Sequence, residues 1–321
     1  MVRPSERASS PPALLRIVLA TLLASGVSLA AVAFPTPTSE ASGPTVLGPD
    51  DEIFSDDFET GDVSRWSSAV NFLPMADPFR FSDLDLRDPH VFVEINVGIP
   101  VCIDATDDSG FGVSINDNLA TAITTDGDGD GLLDLSALLL FRPLDPTLQG
   151  LRLDLAQGRC TAPVEITECE PEPLVPATEL TYTSETVGDC LIALPGTTSG
   201  YAPGIAEPTA PCFVTPPQTL MVDFLGVPLE LGDAQIAGSY VGDPVTSLED
   251  GLLFGFLSET DADALVLPAD LPIVGGLPLS ALFPGGAGNC ASGDDRDTHL
   301  GVVGWWIYFN YRADVVPFSG P

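Results

Sequence analysis

The 321-residue chain contains no lysine. Its eleven basic residues are all arginine, and they face 46 acidic residues, for a formal net charge of −35. A surface of that sign repels nucleic acid and anionic membranes and attracts cations, so nucleic-acid binding is excluded as a function. Histidine is nearly absent, with two residues far apart in sequence, and no C-x-x-C pair occurs; a zinc site has no ligand set. The motifs G-x-S-x-G, H-E-x-x-H, G-x-G-x-x-G and the Walker loop are all missing, which removes the commonest hydrolase, metalloprotease and nucleotide-binding signatures. A carboxylate-pair hydrolase leaves no local signature, but nothing in the chain singles out such a pair, and the balance leans away from an enzyme. Beyond residue 33 no apolar run is long enough to span a membrane.

What is present begins with the N-terminus. Arg3, Arg7 and Arg16 precede the apolar run "IVLATLLASGVSLAAVA", which ends in the small-residue pattern Ala31-Val32-Ala33. This is a secretory signal peptide over 1–33, too short and too rich in small residues for a membrane anchor. The expected location is secreted or at the cell surface, with the periplasm as the alternative, and no membrane insertion after cleavage. Export makes the six cysteines a disulfide framework. Short loops close most easily, which pairs Cys160 with Cys169 and Cys190 with Cys212 and leaves Cys102–Cys290 as a long staple.

Residues 34–50 are a Pro/Ser/Thr/Gly linker. In "IFSDDFETGDVSRWS" the residues Phe54, Asp56, Phe58, Glu59, Gly61, Asp62, Ser64 and Trp66 form a pattern. It resembles a short segment near the mature N-terminus of many uncharacterised exported bacterial proteins. That resemblance implies export, and Phe58 and Trp66 suggest a segment, 51–80, that docks on the main domain. From residue 81 onward short alternating runs dominate: "HVFVEINV", "LLLFRPL", "LRLDLAQ", "TLMVDFL", "VPLEL", "AQIAGSY", "GLLFGF" and "GWWIYFNYRADVVPF". Gly226 breaks the first pair of the 219–240 meander and Gly232-Asp233 is expected to turn the second. Two short helices interrupt, "SINDNLATAIT" and "SETDADALVL", each opened by a capping box, Ser114 with Asp117 and Ser258 with Asp261. The pattern predicts a mainly β, antiparallel, disulfide-stapled domain over 81–321, built as a sandwich or jelly roll, either whole or as subdomains 81–215 and 216–321.

The most specific chemical feature is "TTDGDGDGLLD", Thr124 to Asp134. Asp126, Asp128 and Asp130 fall at positions 1, 3 and 5 of a calcium loop, Gly131 at the sharp turn, the Leu132 carbonyl at position 7 and Asp134 at position 9. Alternate aspartates aim hard oxygens at one point, and three like charges so close need a cation to offset them. The stretch resembles the calcium loops of dockerins, thrombospondin type 3 repeats and EF-hands. It departs from the EF-hand at position 12, where Ala137 replaces the bidentate glutamate. The resemblance implies a lone structural calcium ion. A second acidic run, Asp294, Asp295 and Asp297, either holds another ion or is a solvated loop offset by Arg296, the latter fitting better. In the last strand Trp305, Ile307, Phe309 and Tyr311 share the core face, and Trp306, Tyr308 and Asn310 share the other. That second face reads first as covered; if open, Trp306 and Tyr308 would stack on a glycan or a cell-surface partner. Cleavage of the leader predicts an exported chain that begins at Phe34, and the intact mass of the exported protein checks it.

Overall fold

A computed structural model describes residues 76–107, 114–224, 227–269, 273–290 and 293–320. The leader, the linker and the docking residues Phe58 and Trp66 lie outside the described residues. Among those described, the strands are β1 (Asp77–Asp88), β2 (Phe92–Asn96), β3 (Pro100–Asp104), β4 (Ala137–Arg142), β5 (Gln149–Cys160), β6 (Cys169–Pro171), β7 (Thr178–Glu185), β8 (Cys212–Val214), β9 (Gln218–Phe224), β10 (Val227–Val241), β11 (Ser247–Ser258), β12 (Asp297–His299) and β13 (Val302–Val315). Helix α1 (Ile115–Thr124) precedes β4 and α2 (Glu259–Ala264) follows β11. Both helices start as expected: the Ser114 and Ser258 hydroxyls accept from the N–H groups of Asp117 and Asp261.

One antiparallel sheet runs β1-β4-β5-β7-β8-β10-β11-β13, and β13 pairs back onto β1. Eight strands thus close into a barrel-like sheet. The expected sandwich or jelly roll is not found. Its physical reason for existing, an apolar face needing a second sheet, is removed when the sheet curls and covers itself. The domain also starts earlier than residue 81, because β1 begins at Asp77 and pairs there with Phe141 of β4. Strands on either side of residue 215 are sheet neighbours, β8 beside β10 and β1 beside β13, so both stretches build one barrel. Gly232 and Asp233 do not turn the chain. They form a bulge inside the continuous strand β10, where the register against β11 slips between Gly232 and Gln235 and Asp233 adopts φ 46. A Gly-Asp pair supplies the left-handed conformation that either a turn or a bulge requires, so the sequence signal is the same for both.

Alternation fills the barrel. Phe79, Phe81, Leu139, Phe141, Leu153, Leu180, Tyr182, Phe213, Trp305, Ile307, Phe309 and Tyr311 are all buried in one cluster. Phe141 sits edge-on to Phe79, Tyr182 and Phe213, with ring centroids 5.6, 5.0 and 5.0 Å away. Tyr311 stacks on Phe81 at 4.5 Å and donates to the Ala237 carbonyl at 2.9 Å. Its ring passes so near β11 that a Cβ on Gly251 would stand 2.6 Å from it; only glycine fits there.

The three disulfides join the expected partners, Cys102–Cys290, Cys160–Cys169 and Cys190–Cys212. The last pins the long connection 186–211 between β7 and β8, which lies over the outer face of β10, β11 and β13. Leu191 of this connection packs with Leu252, Phe254, Phe256, Trp306 and Tyr308 in a second apolar cluster. Phe141 at the centre of the aromatic set gives a direct test: Phe141→Ala should destabilise the domain by about 3–5 kcal/mol, read as a lower urea midpoint at unchanged slope. A loss under about 1 kcal/mol would place Phe141 outside a close-packed interior.

Candidate metal centre

The chain between α1 and β4 carries the acidic loop. Two backbone hydrogen bonds close its neck, from Asp134 N–H to the Thr125 carbonyl at 3.0 Å and from Leu135 N–H to the Ala122 carbonyl at 2.9 Å. Inside the loop the carboxylates are held by main-chain donors. Asp126 accepts from Gly129 and Asp130 on Oδ1, at 2.7 and 3.1 Å, and from Gly131 on Oδ2 at 2.9 Å. Asp128 accepts from the Asp130 N–H at 3.1 Å, and Asp130 from the Leu132 N–H at 2.8 Å. Gly129 and Gly131, with φ of 78° and 90°, turn these N–H groups inward. Carboxylate oxygens from Asp126, Asp128 and Asp130 consequently lie within 4.8 Å of one another.

Asp134 does something different. Both its oxygens accept from the Gly127 N–H, at 3.0 and 3.1 Å, across the neck. Leu132 forms an isolated antiparallel bridge with Thr161. The bridge hydrogen bonds come from its neighbours, Leu133 N–H to the Cys160 carbonyl and Ala162 N–H to the Gly131 carbonyl, at 2.8 and 2.9 Å. Residues so flanked turn their own N–H and carbonyl away from the partner strand. The Leu132 N–H faces Asp130, so its carbonyl faces the loop as well. The Cys160–Cys169 disulfide closes the segment against which this bridge is made.

Asp294, Asp295 and Asp297 do not converge. Arg296 grips Asp294 with Nε and Nη2 at 2.8 and 3.0 Å and reaches Glu259 with Nη1 at 2.8 Å. Asp295 accepts from the Tyr201 hydroxyl at 2.6 Å, and Asp297 is strand-paired with Gly304 in β12. Arg296 thus offsets Asp294, while Asp295 and Asp297 lie near each other and near Asp88, where burial and then the Asp295 charge raise the Asp297 carboxyl. His299 pairs with Asp233 at 2.5 Å rather than with this run.

Trp306 and Tyr308 are only 6% and 0% exposed. Tyr308 accepts from the Leu194 N–H at 3.2 Å and shares a hydrogen bond with Thr197, while Asn310 bonds both backbone groups of Ala206. The 186–211 connection therefore occupies the face that a glycan would need. Its sequence is rich in Pro, Gly and Thr and shows no period, so nothing local announces that it is a cover.

Sequence reasoning passed over one cluster altogether. Asp88 is buried and accepts from the Ser199 N–H at 2.8 Å. Beside it His90 stacks on Tyr201 with centroids 3.8 Å apart and bonds Asp104 at 2.5 Å. Burial pushes the Asp88 carboxyl up to about 7, with the Asp295 carboxylate adding to the shift and the Ser199 N–H opposing it. Burial, then Asp295, also raises the Tyr201 hydroxyl. Asp88 and Ser199 are 111 residues apart, and no motif links the members of the cluster.

Comparison with protein-family models, with curated proteins and with solved structures finds no match. The raised Asp88 carboxyl has a signed consequence. Its folded value of about 7 lies above the ordinary 3.8, so between these the folded chain holds a proton that the unfolded chain has released. Its contribution to stability is full below about pH 4, falls as pH rises to about 7, and is constant above. Asp88→Asn should abolish this component, so urea midpoints of the two proteins should diverge steadily from pH 4 to 7; parallel profiles would contradict it.

Proposed function

We propose that the protein is exported and non-catalytic, secreted or displayed at the cell surface, with a barrel fastened by a structural calcium ion. The ligands are the side chains of Asp126, Asp128 and Asp130, the Leu132 carbonyl and Asp134, the last through water while it holds the loop's neck. The observation that carries the reading is the convergence of three carboxylates within 4.8 Å on a loop whose own N–H groups orient them. Calcium accepts six to eight oxygens in flexible geometry, which suits a loop lacking the twelfth-position glutamate, with water completing the shell. The ion would join the end of α1 to the start of β4 and, through the Leu132–Thr161 bridge, to the Cys160–Cys169 segment. Three disulfides support an oxidising, extracytoplasmic setting, where calcium is plentiful.

The glycan reading has no support from an exposed stacking face. For the hydrolase reading, Asp88 has the proton affinity of a general acid, but it lies beneath the 186–211 connection, bonded to Ser199. A role in packing accounts for it.

Calorimetry of the full chain tests the metal. Calcium at 100 times its dissociation constant should add about 2.7 kcal/mol over chelated protein, and Asp128→Asn should remove most of that difference. Equal melting temperatures with calcium and with chelator would end the calcium reading.

A further inference from the structure

One end of the barrel is not filled by its own side chains. A cavity of about 260 Å³ opens there. Its floor is Phe81, Leu253 and Phe309, and its walls include Leu135, Ala137 and Leu155. Strand parity accounts for the lining: Ala137 shares a face with the inward Leu139 and Phe141, and Leu155 with the inward Leu153. At the rim stand Val175 and Met221, which are exposed. No charged residue lines the cavity among the described residues; its polar members are Ser136, Gln157 and Thr178. That is a sharp departure for a chain of net charge −35. Ser136 is 4% exposed, and its Oγ is buried without a hydrogen-bond partner. An oxygen so closed off offers no polar contact to a molecule seated in the well.

We propose that this well binds one small, uncharged apolar molecule of roughly ten to fifteen non-hydrogen atoms. Three observations set the terms. Closed barrels of eight strands have interiors just wide enough to be filled by side chains or to hold one small ligand, and here the filling stops short. The size follows from volume: an apolar cavity of about 150 Å³ takes benzene, and larger drug-sized ligands need upward of about 300 Å³. The absence of a lining arginine, in a protein whose field repels anions, selects a neutral molecule over a carboxylate. Thr178, on the inward face of β7, stands in the lining. The proposal does not rest on the metal reading of the acidic loop.

The fluorescent dye 1-aminoanthracene titrated into the full chain, followed by displacement with 1-decanol, decanoate or decane, tests the proposal. The dye should bind saturably with a stoichiometry near one. Decanol should displace it at a concentration at least tenfold lower than decanoate at pH 8. Ala137→Trp, which fills the well, should weaken dye binding at least tenfold while the protein still melts cooperatively. Leu155→Phe is a milder filling and should weaken it in the same direction. The proposal is overturned if folded wild-type protein binds no dye saturably, or if both filling variants bind as wild type does. Equal displacement by decanoate and decanol removes the neutral-ligand assignment. Binding that appears only in the full-chain variant Phe58→Ala/Trp66→Ala would show the well seated by the chain's own N-terminal segment, which also overturns it.

Discussion

The pairing of β1 with β13 is the constraint on which the rest depends. It joins residues such as Leu84 and Tyr311, at opposite ends of the folded chain, and turns an open meander into a closed sheet. Closure pairs both edges of the eight-stranded sheet at once, so its inner apolar face is covered by the sheet itself. It also explains why the interior is so aromatic. A closed cylinder has a fixed internal volume, and Phe79, Phe141, Tyr182, Phe213 and Tyr311 fill it with few side chains. Glycine then appears where the rings press on the wall, as at Gly251 beneath Tyr311.

A second constraint is the shortage of cations. Each arginine among the described residues is already engaged. Arg80 donates to the Ile123 carbonyl at 2.9 Å, and Arg142 and Arg152 share the buried Asp154 at 2.8 Å each. Arg159 pairs with Glu170, Arg296 with Asp294 and Glu259, Arg312 with Glu249, and Arg87 with Asp85. None of these partners lies in the acidic loop. Asp126, Asp128 and Asp130 are therefore held by N–H dipoles alone, which orient carboxylates but supply no net charge. A divalent ion would supply it, and this is the electrostatic argument for the proposed calcium at this loop rather than at Asp294, which Arg296 already offsets.

The limits of the sequence follow from the same physics. Features set by residues near one another in the chain were legible: the caps of α1 and α2, the strands β4, β5, β11 and β13, and the acid spacing of the loop. The disulfide pairs were legible because loop-closure entropy ranks the short loops first. Barrel closure was not, because antiparallel alternation is identical in a sandwich and a barrel and only the partner of the first strand distinguishes them. Gly232-Asp233 was misread for a related reason: a bulge and a turn demand the same backbone freedom. Trp306 and Tyr308 looked capable of stacking because their cover, the 186–211 connection, has no periodic signature, and Asp88 escaped notice because Ser199, Tyr201 and Asp295 reach it only in three dimensions.

The acidic loop and the apolar well share a frame. Ile123, the end of α1, and Leu135 to Ala137, the start of β4, belong to the wall of the well. The loop's neck, where Leu135 bonds the Ala122 carbonyl and Asp134 bonds the Thr125 carbonyl, is what sets their spacing. An ion that tightens the loop must therefore fix this part of the wall, because only the neck separates them. Thermodynamic reciprocity then requires that a molecule seated against Ile123 and Ala137, if it prefers the fixed wall, raise the loop's affinity for the ion by the same factor. The loop is in that sense more than a fastener of a helix to a sheet: its neck supports part of the wall of the well.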